Sequence, residues 1–173
     1  MSKPKILCIV GESGSGKTSI ADFIEQQFNI PMIQSHTERP PRYEGENGHT
    51  FHDDDAYDNL KTEDKLAETK INGYFYWCET KDVDKPLMTY VIDESGLVML
   101  TNRFHDMFDI TSLRVLRDLT LREQYVDSDR LERDVNFFLP LDKYDYIIRN
   151  DASLPELHSK IKDLIEVLYG DDL

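Results

Sequence analysis

Gly11-Glu-Ser-Gly-Ser-Gly-Lys-Thr18 is a complete G-x-x-x-x-G-K-[ST] pattern, and its reading decides the fold. Gly11, Gly14 and Gly16 let backbone N–H groups curl around a polyphosphate. Lys17 reaches the terminal phosphates, and the Thr18 hydroxyl can ligate Mg²⁺. Glu12, Ser13, Ser15 and Ser19 complete the loop and the first helical turn. The flanks agree with the pattern. Lys5-Ile-Leu-Cys-Ile-Val10 is an apolar run of the kind a buried parallel strand shows. Thr18 to Phe28 places Ile20, Phe23, Ile24 and Phe28 on one helical face, with the helix N-terminus aimed at the anion.

Working outward, the periodicity predicts a short strand near 30–34, and Pro40-Pro41 forbids regular helix beyond it. Tyr43 to Phe51 reads as turns and a hairpin. Asp53–Asp55 read as a cap for a helix over about 56–69, rather than as a metal cluster with His52. Asn72-Gly73 is a hairpin turn leading into Tyr74-Phe-Tyr-Trp77. Strands are expected at 87–92, 110–116 and 144–148, and helices at 96–108, from 119 to 125, over 128–138, and at 154–168. Strands alternating with helices give an α/β class: a parallel sheet of the P-loop type with helices on both faces. In such sheets the ligand sits beyond the carboxyl ends of the strands.

The 173 residues suit one domain, with no repeat, low-complexity tract or Pro/Gly-rich linker. No apolar run approaches the roughly 20 residues of a membrane span, and the first residues run straight into the first strand. Cys8 and Cys78 lack C-x-x-C spacing and read as reduced structural thiols, which suits the cytoplasm. The net charge of −14 argues against a nucleic-acid surface. An acidic chain that handles phosphates must gather its cations locally. Arg39 and Arg42 make one cluster, and Arg117, Arg122, Arg130 and Arg133 another. Arg103, Arg114 and Arg149 are left as surface cations, and His105 and His158 as surface or packing residues.

The segment Ser35-His-Thr-Glu-Arg-Pro-Pro-Arg42, followed by Gly45-Glu-Asn-Gly48, holds two arginines three apart on consecutive prolines. That is a rigid double fork suited to one phosphate monoester, against the alternative of pairing with Glu38 and Glu44. Here the chain resembles the guanylate kinase family, P-loop nucleoside monophosphate kinases whose motif is close to S-x-T-x-R-x-P-R-x-x-E-x-N-G. Glu68, Tyr74-Phe-Tyr76, Val91-Ile-Asp-Glu-Ser-Gly96, Arg130-x-x-Arg133-Asp134 and Asp145 to Asp151 extend the likeness over essentially the whole chain.

The resemblance implies a core (1–35, 87–118, 137–173), an NMP-binding insertion at 36–86 and a lid at 119–136. It implies ATP and a nucleoside monophosphate as partners, with Mg²⁺, and neither nucleic acid nor membrane, in a monomer or homodimer. Ser35, Glu68 and Asp93 would read guanine, and Asp93 would also hold Mg²⁺ through water. Arg39, Arg42 and Tyr76 would grip the acceptor phosphate, and Asn150 would meet the adenine of ATP. Lys17, Arg122, Arg130 and Arg133 would carry the transfer to GMP or dGMP. The departures gather on the acceptor side. Phe51 replaces a tyrosine, which His49 or His52 could substitute. The Glu68–Gly73 spacing is one residue short, Trp77 stands where the family has glycine, and the lid around 124–129 is short. Another base, a deoxy or modified nucleotide, ribose bisphosphate as acceptor, and a non-catalytic interaction module all stay open.

Overall fold

A strand with every side chain buried needs cover on both faces, and the chain supplies it with helices on either side of one parallel sheet. The structure, a computed structural model, describes residues 3–46, 48–53, 55–126, 128, 131 and 138–173. The first strand, β1 (Lys5–Gly11), is followed by α1 (Lys17–Phe28). Four strands pair in the order β6 (Leu87–Val91), β1, β7 (Asp109–Leu116) and β8 (Tyr146–Arg149), all parallel. Leu7, Ile9, Leu113, Val115 and Ile148 face α1 and α4 (Leu154–Tyr169), where Ile20, Ile24, Leu157, Ile161 and Ile165 meet them. Ile6, Cys8 and Val10 face α2 (Glu94–Phe104) through Leu97, Leu100 and Phe104. Each such aliphatic side chain contributes roughly 1.5–3 kcal/mol on burial. His158 stacks on Phe23 with ring centroids 3.7 Å apart, tying α4 to α1.

Between α1 and β6 lies a second four-stranded sheet, ordered β3 (His49–Phe51), β2 (Ser35–Thr37), β5 (Tyr74–Glu79) and β4 (Lys65–Ile71). Leu66, Ala67 and Cys78 carry it onto the α2 side of the core. The Asn72-Gly73 turn forms as expected, with φ of 51° and 86°, the left-handed pair that a tight hairpin requires.

Several local expectations give way to tertiary pairing. The helix expected over 56–69 is absent: turns lead into β4, because Leu66 and Ala67 are buried only when Lys65–Ile71 pairs with β5. Of the proposed capping residues, Asp54 lies outside the described residues. The hairpin at 43–51 does not form either, since β3 runs parallel to β2 after a loop pinned by an ion pair described below. The strand at 30–34 reduces to one parallel bridge, Met32 to Thr89. Pro31 has no N–H to extend it, and its carbonyl takes the Thr89 N–H at 2.9 Å. α2 ends at Phe104 and β8 starts at Tyr146. The helix expected from Leu119 is the single turn α3 (Leu119–Arg122), and the rest of 128–138 lies almost wholly outside the described residues. Among the described residues no helix is long and apolar enough to cross a membrane.

Candidate active site

All four parallel strands deliver their carboxyl ends to one edge, where β1 runs into the phosphate loop. Gly16 sits at φ 98°, and a Cβ there would come within 2.5 Å of the Asn150 amide, so glycine is demanded twice over. Side chains from elsewhere grip the loop residue by residue. The Arg114 guanidinium meets the Glu12 carboxylate at 2.7 Å. Arg122 Nη1 donates to the Ser13 carbonyl at 3.4 Å, and Arg117 Nη1 to the Gly14 carbonyl at 3.2 Å. Asn150 Nδ2 donates to the Ser15 carbonyl at 2.9 Å. Tying these carbonyls to side chains favours presenting the N–H side of the same peptides to an anion. Lys17 Nζ donates to the carbonyls of Gly11 and Glu12, at 2.7 and 2.9 Å. Thr18 and Ser19 lie exposed in the first turn of α1.

Asp93 stands two residues past the end of β6 on the same edge. Its Oδ1 accepts from the Gly96 N–H at 2.7 Å and the Ser95 hydroxyl at 3.2 Å, so it caps α2.

The second sheet separates its side chains by face, because strand residues alternate. Thr37 pairs with Tyr76, and Tyr76 with Thr69. Beside Tyr76 gather Arg39, whose Nε donates to the Tyr76 hydroxyl at 2.9 Å, and His49, whose ring meets Tyr76 edge-on at 5.3 Å. His49 Nδ1 and the Ser35 hydroxyl are 2.7 Å apart, and the Arg39 guanidinium lies over Phe51. Burial, then the charge of Arg39, pushes the His49 imidazole below its usual range and favours its neutral form. His52 lies elsewhere, against His36 at 2.8 Å, and His36 in turn meets Asp82 at 2.9 Å.

Glu46, not Glu38 or Glu44, is the acid that pairs with the arginines. Arg39 clasps its two oxygens at 2.7 and 3.2 Å, and the Arg42 N–H donates to it at 2.6 Å. These bonds hold the Glu46 carboxyl down at about 2, the Arg39 bond contributing most. Arg39 is therefore buried and committed, while the Arg42 side chain is 65 % exposed.

Glu68 is not brought to this group. It pairs with Trp77, one residue from Tyr76, and so falls on the opposite face. There it accepts a short hydrogen bond from the Tyr57 hydroxyl, and Lys65 approaches it at 3.5 Å. Tyr57 stacks on Phe75, which shares that face with Trp77. Two residues were missed from sequence. Glu46 is signalled by its place just after the paired arginines, and Arg114 by a charge inside the apolar run 110–116. Arg130 and Arg133 lie outside the described residues.

No family model matches the chain. It is 24 % identical over 184 residues to a guanylate kinase of Fusobacterium nucleatum, with 97 % of each chain covered. It shares the fold of a guanylate kinase from Anaplasma phagocytophilum, with TM-score 0.70 and 20 % identity over 96 % of this chain and 87 % of that one. It is also similar to an APS kinase of Mycobacterium tuberculosis solved with AMPPNP and APS. That match has TM-score 0.55 and 14 % identity, over 96 % of this chain and 99 % of that one. The likeness to the guanylate kinases thus runs through sequence and fold alike, and all three of these proteins are named as kinases.

Proposed function

We propose, for a chain that is guanylate-kinase-like from end to end, that it transfers the γ-phosphoryl group of ATP to a nucleoside 5′-monophosphate. The observation that carries the reading is the pair of separate cationic cradles. One is the phosphate loop, with Lys17, Arg117 and Arg122 at the carboxyl edge of the parallel sheet. The other is Arg39, Arg42 and Tyr76 on the second sheet. Phosphoryl transfer needs alignment and charge stabilisation more than covalent help, so two such cradles suffice for it.

In this reading the loop amides and Lys17 bind the β- and γ-phosphates and stabilise the charge that spreads over the transferring group. Arg122, with Arg130 and Arg133 of the lid segment 119–136, adds charge there, and the lid excludes water that would otherwise accept the phosphoryl group. Arg42 is the mobile partner of the acceptor phosphate. Arg39, clamped by Glu46, fixes the Tyr76 hydroxyl beside it. Asn150, bound to Ser15 next to Gly16, lies on the donor side.

Mg²⁺ fits the residues present. Thr18 and Asp93 are hard oxygen donors, and among the described residues no group of three His, Cys, Asp or Glu would hold an ion without phosphate oxygens. Held by the Thr18 hydroxyl and, through water, by Asp93, the ion would supply charge neutralisation for the phosphates.

GMP or dGMP is the leading acceptor, with Ser35 and Asp93 facing the base. A second reading, a different base or a modified nucleotide, is favoured by Glu68 lying on the Trp77 face, away from Tyr76 and Arg39, where it accepts from the Tyr57 hydroxyl. Both readings place the protein in the cytoplasm, where nucleotides and reduced thiols such as Cys8 and Cys78 are found. The test is ADP release measured across every ribo- and deoxynucleoside monophosphate. Turnover with one or a few of them is expected. Release that no monophosphate stimulates would refute the reaction.

A further inference from the structure

The strand β7 carries a charge where none belongs. Leu113 and Val115 are fully buried, and between them Arg114 is 2 % exposed on the α2 side of the sheet. A cation in such a place is costly unless it is paired. Its partner is Glu12, the first variable residue of the phosphate loop, at 2.7 Å, with side chains 3 % and 19 % exposed. Phe138 lies over the guanidinium at 3.7 Å, and Tyr144 flanks it at 5.9 Å. The Tyr144 hydroxyl then donates to Glu94 in the first turn of α2. Gly11 lies against the same strand, since a Cβ there would come within 2.7 Å of the Val115 carbonyl and 2.6 Å of the Ser15 hydroxyl.

Arg117, Arg122 and Asn150 hold the loop by its carbonyls. Arg114 differs in holding it by a side chain, through an ion pair shielded from water. We infer that Arg114 is a positioning residue for the donor nucleotide: through Glu12 it sets the shape of the phosphate loop, and through Phe138 it joins that loop to the chain returning from the lid. The inference rests on the donor-site reading above. A buried carboxylate beside a triphosphate would repel it, and the guanidinium both cancels that charge and fixes its place. Cancelling alone would make the pair dispensable when both charges go. Fixing would not.

The experiment measures ATP binding directly by calorimetry, alongside KM for ATP and for the acceptor in steady state. Three variants are compared: Arg114→Lys, Arg114→Met, and the double variant Glu12→Gln with Arg114→Met. The double variant leaves no buried charge unpaired, so it remains informative if Arg114→Met fails to fold. ATP dissociation constants are expected to rise at least tenfold in Arg114→Met and at least fivefold in the double variant. Arg114→Lys, which keeps the charge but loses the planar fork and its stacking, should fall between them and the parent chain. The acceptor KM should stay within twofold throughout. A double variant that binds ATP as the parent does would overturn the positioning role and leave only charge cancellation. Acceptor and ATP constants rising together would overturn it as general loosening. A parent chain that binds no ATP at all would instead overturn the donor-site reading on which the inference stands.

Discussion

Around the phosphate loop, Glu12, Ser13, Gly14 and Ser15 are each held by a side chain from a different part of the fold. On the acceptor sheet a single carboxylate, Glu46, holds Arg39 and the Arg42 backbone, and the strands beneath are only three residues long at β2 and β3. The donor side is thus fixed by several contacts at successive loop residues, of which the Arg114–Glu12 pair is the one made through a loop side chain. The acceptor side hangs on one pair, which suits a region that must admit and release its ligand. Charges follow the same division: Arg114 is buried against Glu12, while the Arg42 side chain is 65 % exposed, with its guanidinium 3.8 Å from Glu46.

The sharpest way to break this contrast is to remove Lys17, the lysine of the phosphate loop proposed to meet the β- and γ-phosphates. Lys17→Ala should lower kcat by about 10²–10³-fold with far-UV circular dichroism unchanged. Turnover that survives would remove catalysis from this edge of the sheet. Next in size, Arg42→Ala should cost at least about tenfold, some 1.4 kcal/mol, in acceptor KM or kcat. An effect on ATP binding alone would show that the two cradles are not separate.

The Glu46 clamp can be read through pH. Its folded carboxyl, at about 2, lies below the ordinary value of 4.5, so its contribution to stability is complete above 4.5 and drains away as pH falls toward 2. The gap in unfolding midpoint between the parent chain and Glu46→Gln should therefore close as pH falls from 4.5 toward 2. A gap that ignores pH would mean that the Arg39–Glu46 pair does not persist in solution. His49, its ionisation lowered by burial and then by Arg39, makes stability decline as pH drops below its ordinary 6.5, and because the Glu46 charge partly offsets that lowering the decline is steeper in Glu46→Gln. Smallest of all, Glu68→Gln should leave discrimination between guanine and adenine acceptors untouched, with at most about 1 kcal/mol lost in a urea melt. Lost selectivity would return Glu68 to the base pocket.

The same contrast explains what could be seen from the sequence. The phosphate loop, its strand and its helix are local: glycine spacing and apolar runs specify them within 24 residues, Lys5 to Phe28, and they form as expected. The parallel sheet follows from four apolar runs, and in the second sheet Asn72-Gly73 marks the hairpin from β4 to β5. The acceptor sheet depends on partners far apart. Residues 65–71 become a strand because β5 lies alongside, which no helical period could announce. The unbroken register running back from the Asn72-Gly73 turn then pairs Glu68 with Trp77 and so decides which face it takes. Glu46 escaped notice because its claim on Arg39 depends on how the loop between β2 and β3 closes.

Cys8 and Cys78 are the only two thiols in the sequence, and both are buried and free of disulfide, their ionisation pushed up by burial. Such thiols scarcely form the thiolate that alkylating reagents attack. The molecule is therefore a quiet background for spectroscopy. A cysteine placed at Tyr125, 67 % exposed and beside Arg117, could carry a fluorophore without first stripping the native sulfur, and would report when nucleotide draws that neighbourhood inward.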